Sequence, residues 1–458
     1  MLTAASIQNR SARVGSIGLG YVGLPLALVF HRAGYTVTGF DLDQAKIAAL
    51  EKGRSYIQHI GTEAVAAAVG SGRLQPTADF ERLREMDAIL ICVPTPLTDK
   101  HEPDVSYIEA TGRDIAKRLR PGQLIVLESS TYPGTTEEVL IPLLEASGVA
   151  CRVAAGGRRA AAVAGSGAGG GTSQSAGRAY VAFSPEREDP GNKQFSTARI
   201  PKLVGGVDAE AGELALALYA SAFEHAIAVA NAKVAEMAKI LENTYRCVNI
   251  ALVNELKQLC MRMGIDIFDV IEAAATKPFG FQAFYPGPGL GGHCIPIDPF
   301  YLSWKAKEFD FTARFIQLAG EINIEMPYKV VEAIANGLNQ RKQAVNGARI
   351  LVLGVAYKKD IDDLRESPAI KIMTLLRQRG AEVVYHDPHC PHIHEGRQND
   401  FVEDSVAFTP ADAAKYDCVA IITDHSALDY AAVAQHARLL VDTRNATRGL
   451  TQDNIVRC

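Results

Sequence analysis

One cysteine lies in the most conformationally constrained segment of the chain. Cys294 follows Gly291, Gly292 and His293 and precedes Asp298 by four residues, in a stretch rich in glycine and proline. Such a stretch cannot form a regular helix or a central strand, because proline removes a hydrogen-bond donor and glycine loosens the backbone. Flanking glycines would leave the sulfur accessible, so Cys294 is a candidate nucleophile, although a lone cysteine is more often buried packing.

Two chemistries are open to this loop. A nucleophilic cysteine beside a nicotinamide would oxidise an aldehyde through a thiohemiacetal and a thioester. His293 and Asp298 could instead bind a metal, but the sequence offers no third ligand nearby, and metal sites of this kind need three or four protein ligands. We therefore expect a redox cysteine and no metal.

A glycine motif near the N-terminus indicates a dinucleotide site. Gly18, Gly20 and Gly23 form G-x-G-x-x-G between a predicted strand and an apolar helix, and Asp41 follows the second predicted strand. These glycines would let the backbone approach a pyrophosphate at the helix N-terminus. Asp41 would bond the adenosine ribose and repel a 2′-phosphate, which favours NAD over NADP. The alternative is a glycine turn that serves only close packing.

Four polar residues share one stripe of a long predicted helix. They are Glu236, Lys239, Asn243 and Arg246, at steps of three, four and three, and this spacing puts them on one face. A lysine and an amide there could donate hydrogen bonds to a developing oxyanion. A solvated charged face explains the same pattern and is the commoner case for such a helix alone.

Polar residues also follow several predicted strands. Ser184, Glu186 and Arg187 come after one strand, and the segments 128–136 and 93–96 come after two others. Because ligand sites of open α/β sheets gather at the carboxyl ends of the strands, these segments would border a cofactor crevice. Each could equally be ordinary loop sequence.

The elements that must position these residues alternate between strand and helix. After a first strand at the glycine motif, apolar runs predict strands near 35–40, 87–94, 124–130, 179–185, 349–355, 382–386, 417–423 and 438–442. Helical periodicity is strongest over 105–119 and 231–264. The prediction is an α/β protein with two Rossmann-like doubly wound domains, joined by a central helical region with one long helix.

Composition limits the partners. The net charge of −5 gives no basic footprint for nucleic acid. No apolar run predicts a membrane span or a signal peptide, so we expect a cytoplasmic protein. The eight cysteines lack C-x-x-C spacing, which predicts neither a disulfide framework nor a zinc site. Residues 154–177 are rich in Gly, Ala and Ser and predict a flexible insertion, in preference to a phosphate-binding loop.

Seven separated motifs carry a resemblance to a known family. They are GLGYVGLPLA, VPTP, SSTYPGTT, SPEREDPGN, EMAKILENTY, GPGLGGHCIPIDP and GVAYKKDIDDLRESPA. In these motifs the chain resembles the nucleotide-sugar 6-dehydrogenases, which oxidise UDP-hexoses to uronic acids with NAD. The resemblance implies an NAD-binding Rossmann domain at 1–210, a central region at 211–325 with catalytic and dimerisation roles, and a UDP-binding Rossmann-like domain at 326–458. A homodimer or a higher homo-oligomer is implied.

The resemblance also implies roles for individual residues. Cys294 matches the nucleophile, and Asp298 matches a carboxylate that helps water or proton transfer. Lys239 and Asn243 match the oxyanion donors. Thr131 and Glu186 match residues that handle protons and position water. The residues implied to contact NAD are Gly18, Gly20, Tyr21, Val22, Gly23, Asp41, Pro94, Thr95, Thr131 and Arg365. Those implied to contact the UDP-sugar are Glu186, Arg187, Lys239, Asn243, Gly291 and Lys358.

The motifs around Glu186 and Cys294 are similar to the branch of the family that acts on UDP-N-acetylhexosamines, and UDP-GlcNAc is the predicted substrate. Pro190 stands where the UDP-glucose branch usually has an additional glutamate. UDP-ManNAc and UDP-glucose stay open as alternatives, because a few pocket side chains distinguish these sugars. A noncatalytic nucleotide-binding protein would be a different class, but it would be expected to lack the matching cysteine, lysine or aspartate.

Overall fold

The computed structural model describes residues 2–57, 60–98, 102–152, 177–187, 197–292, 295–395 and 401–458. Contacts divide the chain into two units, Met1–Leu241 and Glu242–Cys458. The three-domain division given above stays a prediction. Cys294 and, apart from Gly177, the predicted insertion lie outside the described residues.

The first unit is built around an eight-stranded sheet. Its strands are β1 (Arg13–Ile17), β2 (Thr36–Phe40), β3 (Leu74–Thr77), β4 (Ala88–Ile91), β5 (Leu124–Leu127), β6 (Tyr180–Phe183), β7 (Lys202–Gly206) and β8 (Ala226–Ala228). They lie in the order β3-β2-β1-β4-β5-β6-β7-β8. All neighbours are parallel except β6 and β7. The first six strands therefore follow the doubly wound order of dinucleotide-binding domains.

Helices pack on both faces of this sheet. The α-helices are α1 (Ala4–Gln8), α2 (Gly23–Arg32), α3 (Gln44–Glu51), α4 (Thr62–Gly70), α5 (Ser106–Ala116), α6 (Ile141–Glu145) and α7 (Ala209–Ala220). Leu124 and Val126 of β5 belong to the same core as the apolar side chains of α2 and α7, whereas Ile125 and Leu127 belong to the core with α5 and α6. Burial on both faces explains why β5 is apolar at every position.

The unit boundary falls inside one long helix, α8 (Ala232–Met263). Its 32 residues span roughly 48 Å at 1.5 Å per residue. Eight large apolar side chains at steps of three, four or seven, here called the apolar stripe, are each at least 38% exposed: Val234, Met237, Leu241, Tyr245, Leu252, Leu256, Leu259 and Met263. A continuous exposed stripe of this size is unusual for a surface that faces only water.

The second unit contains a five-stranded parallel sheet and a short hairpin. Its strands are β9 (Arg349–Leu353), β10 (Glu382–His386), β11 (His392–Ile393), β12 (Glu403–Asp404), β13 (Cys418–Ile421), β14 (Leu440–Asp442) and β15 (Ile455–Arg457). The sheet order is β10-β9-β13-β14-β15. Its helices are α9 (Ile267–Ala275), α10 (Asp298–Ala306), α11 (Arg314–Gln340), α12 (Pro368–Gln378) and α13 (Tyr430–His436).

The structure confirms the predicted fold class, including the long helix. The sequence pattern missed β3, β7, β8, β11, β12 and β15, which are two to five residues long and lack a strong apolar run. It also missed α11, a second helix of 27 residues. Across the described ranges, no helix combines the length and apolar character that crossing a membrane requires.

Candidate active site

The carboxyl ends of five strands of the first unit lie in one row. The last residue of each strand is paired with the last residue of the neighbouring strand. In sheet order these residues are Phe40, Ile17, Ile91, Leu127 and Phe183. The residues that come next in the chain therefore emerge at one edge: Asp41, Gly18, Cys92, Glu128 and Ser184. Segments that are far apart in sequence thus meet where open α/β sheets bind ligands.

Each glycine of the first motif has a separate structural reason. Gly18 has φ +87°, and a Cβ there would lie 2.5 Å from the carbonyl oxygen of Cys92. A Cβ on Gly23 would lie 1.7 Å from the carbonyl oxygen of Gly18, whereas one on Gly20 would meet no atom within 4 Å. Close packing explains Gly18 and Gly23. It does not explain Gly20, whose open side leaves room for a ligand to approach the backbone.

Asp41 stabilises the glycine turn and keeps acceptor capacity. Its Oδ2 accepts hydrogen bonds from the Leu19 N–H at 2.8 Å and from Nζ of Lys46 at 3.4 Å, and its Oδ1 accepts one from the Asp43 N–H at 2.9 Å. A carboxylate has about four acceptor positions, so one position on Oδ1 remains for a ribose hydroxyl. Tyr21 and Val22 are half-buried beside the turn. Among the described residues no side chain caps the N-terminus of α2, and an uncapped helix start suits a pyrophosphate.

Thr131 follows β5 and is 1% exposed. Its Oγ1 lies 2.7 Å from Oγ1 of Thr135, which donates its hydrogen to the carbonyl of Tyr132. Because Thr135 has one hydroxyl hydrogen, Thr131 must donate to Thr135, and the lone pairs of Thr131 are left to accept. Beyond β4, Pro94 is exposed and Thr95 is buried.

A buried ion pair lies at the same edge of the sheet. Nζ of Lys202, on β7, is 2.5 Å from Oε2 of Glu128, and Tyr219 donates its hydroxyl to Oε1 of Glu128. Burial alone would lower the pKa of Lys202, but the charges of Glu128 and Glu186 raise it, so Lys202 is a cation. Burial raises the pKa of Glu128, and the charge of Lys202 opposes that shift.

Glu186 is a second carboxylate beside Lys202. Its Oε2 lies 3.7 Å from Nζ of Lys202, and its side chain is 13% exposed. Its Oε1 accepts a hydrogen bond from the Arg187 N–H at 2.7 Å. Arg187 donates from Nη1 to the carbonyl of Pro201 at 2.7 Å, so the Arg187 guanidinium is held against the start of β7.

Glu236 joins α8 to the loop that contains Thr131. Its Oε2 accepts from the Gly134 N–H at 2.5 Å, and its Oε1 accepts from the Thr136 N–H at 2.9 Å and the Thr136 hydroxyl at 2.6 Å. Burial raises the pKa of Glu236 to about 7 against these hydrogen bonds. Lys239, one turn along α8, is 7% exposed.

Two further predicted residues meet in the second unit. Asn243 is 6% exposed, and its Nδ2 donates to Oδ2 of Asp298, which is 1% exposed, at 2.6 Å. A solvated charged face is therefore wrong for Glu236, Lys239 and Asn243, and it describes only the exposed Arg246.

The remaining predicted residues lie on loops of the second unit. A Cβ on Gly291 would lie 2.5 Å from Cβ of Tyr357, so glycine is required for these two loops to pack. Lys358 follows Tyr357 and is half-buried. Arg365 directs its guanidinium to Asp363, with Nη2 2.6 Å from Oδ2. A role for Arg365 toward NAD stays a prediction.

With this geometry established, comparison with known proteins assigns the chain to a family. Residues 12–223 match the NAD binding domain, residues 233–325 the central domain and residues 351–449 the UDP binding domain of the UDP-glucose/GDP-mannose dehydrogenase family. The chain belongs to this family. Its cofactor is NAD, and the open Gly20, the Asp41 carboxylate and the uncapped helix start fit that cofactor.

Similar proteins of the family differ in the sugar they are named for. The chain is 34% identical to UDP-N-acetyl-D-mannosamine dehydrogenase of Pyrococcus horikoshii, over 94% of this chain and 95% of the relative. It is also 34% identical to UDP-N-acetyl-D-glucosamine 6-dehydrogenase of Pseudomonas aeruginosa, over 83% of each chain. The solved structure of the UDP-D-ManNAc dehydrogenase from Pyrococcus horikoshii superposes with a TM-score of 0.83 and 30% identity, covering 97% of this chain and 98% of that chain.

In the second unit of this dehydrogenase, Asp387 follows β10 as Asp41 follows β2 in the first unit. Its Oδ2 accepts from the N–H groups of Val355 and Ala356 and from Nε2 of His425, and its Oδ1 accepts from the N–H groups of the next turn. Burial would raise the pKa of Asp387, but these hydrogen bonds lower it to about 2. Both oxygens are saturated, so this carboxylate is not available to bond a ribose.

A cluster of potential metal ligands lies beside Asp387. The described residues contain one group whose side chains are close enough to share a metal ion. It consists of Asp360, His389 and His425. Nδ1 of His425 accepts from the Asp360 N–H at 3.0 Å, and Nε2 donates to Asp387. Both imidazole nitrogens are therefore already used in holding the loop, and we assign no metal here.

Sequence reasoning assigned no role to Lys202 or Tyr219 and named Glu236 only as a stripe position. One signal was available for Lys202. In a strand, residues two apart share a face, so Lys202 shares its face with Val204, which is 1% exposed. A charged residue on a buried strand face predicts a buried partner, but it does not identify Glu128.

Gly20→Ala and Gly23→Ala should separate ligand approach from packing. Gly20→Ala should leave the unfolding free energy within about 0.5 kcal/mol of wild type, because the methyl group meets no atom of the protein, and should weaken NAD binding about tenfold or more. Gly23→Ala should destabilise the fold. Calorimetric NAD titration and thermal unfolding measure both effects; wild-type NAD affinity in Gly20→Ala would contradict the assignment.

Glu236 should make stability depend on pH. Its pKa is about 7 in the folded protein against an ordinary 4.5, so between these values the folded protein holds a proton that the unfolded chain has released. The stabilisation is therefore fully present below about pH 4.5 and lost as the pH rises to about 7. Glu236→Gln should flatten the stability curve by about 1–3 kcal/mol across this window.

Thermal unfolding from pH 4.5 to pH 8 measures this difference. Glu224→Gln is the matched control, because Glu224 is an exposed carboxylate of the same unit whose Arg199 partner is also exposed. Parallel curves for wild type and Glu236→Gln would show that Glu236 does not titrate in this window.

Proposed function

We propose that this dehydrogenase oxidises the C6 hydroxyl of a UDP-N-acetylhexosamine, UDP-GlcNAc, to the carboxylate. The observation that carries the proposal is the buried Asn243–Asp298 hydrogen bond, with Lys239 one turn away on the same helix. These are the residues that the resemblance assigns to oxyanion stabilisation and proton transfer. The N-acetylhexosamine assignment rests on the motifs around Glu186 and Cys294, and a relative named for UDP-GlcNAc supports it.

The overall reaction removes four electrons. The C6 alcohol gives up a hydride and a proton to become an aldehyde, and the Cys294 thiol adds to that aldehyde as a thiohemiacetal. Loss of a second hydride and proton leaves a thioester, which water cleaves to the acid and the free thiol. NAD supplies the hydride acceptor in both oxidations, so each sugar yields two NADH.

The protein groups have separate tasks in this scheme. The Lys239 ammonium and an Asn243 N–H stabilise negative charge on the C6 oxygen, in a buried setting where such donors are most effective. Asp298 accepts one Asn243 N–H and so directs the other N–H of that amide toward the substrate. Thr131 and Glu186 position the hydrolytic water and take its proton.

UDP-ManNAc is the second candidate substrate. The relative named for it aligns over a larger share of this chain than the relative named for UDP-GlcNAc. The two sugars differ in the configuration at C2. The motifs do not identify the side chains that would contact the substituent at C2.

Purified protein with NAD should form about two NADH per molecule of UDP-GlcNAc, and less or none with UDP-ManNAc, UDP-GalNAc or UDP-glucose. Cys294→Ala should lower acid formation at least about 10³-fold, because the thioester cannot form. NADH absorbance and chromatography of the sugar product measure these outcomes. Cys260→Ala is the control. It removes a half-buried thiol on α8 and should behave as wild type.

Each other result has a defined meaning. Turnover on UDP-ManNAc alone would replace the substrate and keep the mechanism. One NADH per sugar, or full acid formation by Cys294→Ala, would contradict the thioester route. No turnover on any of the four sugars would favour a noncatalytic nucleotide-binding protein.

We also propose that the enzyme is a homodimer whose subunits meet along the apolar stripe of α8. Eight exposed apolar side chains along one helix face would be expensive to leave in water, and two such faces would cover each other. A twofold interface uses the same patch on both subunits, as a single stripe requires.

Leu252→Glu combined with Leu259→Glu should convert the dimer to a monomer, because two charges per subunit would be buried without partners. Light scattering coupled to size exclusion measures the mass. Val402→Glu is the control, since Val402 is 60% exposed and lies outside α8; it should leave the mass unchanged. A wild-type protein that is already monomeric would rule out this interface.

A further inference from the structure

Lys202 is a buried cation that the proposed mechanism does not use. An ammonium group has three hydrogens. The Lys202 Nζ lies 2.5 Å from Oε2 of Glu128, 2.9 Å from the carbonyl oxygen of Pro185 and 3.7 Å from Oε2 of Glu186. The contacts with Glu128 and Pro185 are hydrogen bonds, and the longer contact with Glu186 is an ion pair. Pro185 and Glu186 are adjacent residues just after β6.

Buried groups surround the Lys202 ammonium. Glu128 and Tyr219 are each fully buried, and the Tyr219 hydroxyl donates to the Glu128 oxygen that Lys202 does not use. The aromatic rings of Tyr219 and Phe223 are each 5.8 Å from Nζ. Lys202 therefore has little freedom to move.

A contribution to folding stability does not by itself explain the buried Lys202–Glu128 ion pair. Replacing a buried ion pair by apolar residues of similar volume is often neutral or stabilising. Lys202 is also the point at which this buried pair contacts a predicted active-site segment. Through the Pro185 carbonyl it holds the backbone just before Glu186, and through the ion pair it holds the Glu186 side chain.

We propose that Lys202 is a positioning residue that holds the Glu186 carboxylate oriented for hydrolysis of the thioester. The inference rests on the proposed function of Glu186. In that step water adds to the thioester carbonyl, a water proton goes to the Glu186 carboxylate, the C–S bond breaks, and the cysteine leaves as thiolate. Lys202 holds the backbone before Glu186 through the Pro185 carbonyl and the Glu186 side chain through the ion pair, and so fixes the position of the proton acceptor.

The experiment removes the charge while sparing the fold. Glu128→Gln/Lys202→Met eliminates both buried charges together, so neither is left without its partner. Lys202→Arg keeps the charge. Glu186→Gln removes the group that Lys202 is proposed to position, and it is combined with the double variant. Arg178→Met/Asp208→Asn removes another largely buried cation of the same unit together with its closest partner, and is the matched control.

Glu186→Gln is expected to lower kcat about 100-fold and Glu128→Gln/Lys202→Met about 30-fold, with KM for the sugar within about threefold. In both, intact-protein mass spectrometry should show the acylated enzyme accumulating, because hydrolysis is the slowed step. Lys202→Arg should recover most of the rate, and the control should keep it. In the Glu186→Gln background, removing the buried pair should cost no further rate.

Several results would overturn the proposal. These are a wild-type kcat in a folded Glu128→Gln/Lys202→Met protein, rate losses that multiply with that of Glu186→Gln, or slow turnover without the acylated species. Thermal unfolding tests the contact without turnover. It compares wild type, Glu186→Gln, Glu128→Gln/Lys202→Met and the variant that combines all three substitutions. Glu186→Gln should change the midpoint less once Lys202 and Glu128 are gone, and an equal change would show that Lys202 does not act on Glu186. A wild type that turns over no sugar would refute the proposed function and leave this second measurement to decide the contact.

Discussion

The parallel register of β2, β1, β4, β5 and β6 is the constraint on which the site in the first unit depends. Because these strands end in one row, five chain segments start at the same edge of the sheet. Strands β4, β5 and β6 are buried at every position, and β1 and β2 are buried at every position but the first. A shift in register would therefore disrupt the packing of these side chains. The polar groups beyond the strands are therefore held by a core that contains none of them.

Each sheet has a carboxylate at the same position, but the two carboxylates differ in their hydrogen bonds. In each unit a carboxylate after the second strand of the fold accepts hydrogen bonds from the turn after the first. Asp41 accepts from three donors, keeps a free acceptor position on Oδ1 and borders the open Gly20. Asp387 is closed off by five donors that include buried His425. This difference explains in physical terms why one unit suits a dinucleotide ribose and the other, which matches the family's UDP binding domain, does not present the same site.

Buried charges organise the edge of the first sheet. Glu236 accepts three hydrogen bonds from the loop after β5, and Lys202 contacts both Glu128 and the end of β6. Each would be costly without these partners, so the loops are specified by the need to satisfy buried charge as well as by their own turn residues. These loops thus gain fixed positions from side chains on a helix and a strand.

The sequence by itself determined the fold class, the long helix, the glycine turn and most of the polar residues that follow strands. Periodicity, glycine spacing and separated motifs are local signals, and the contacts they predict follow from regular geometry. Only the tertiary structure decided that Lys202, Glu128 and Tyr219 form one buried group, that Asn243 bonds Asp298, and that Asp387 is saturated by His425. Those pairings join residues 38 to 91 positions apart. No local pattern specifies which buried charge meets which partner, because that choice is made by sheet order and packing.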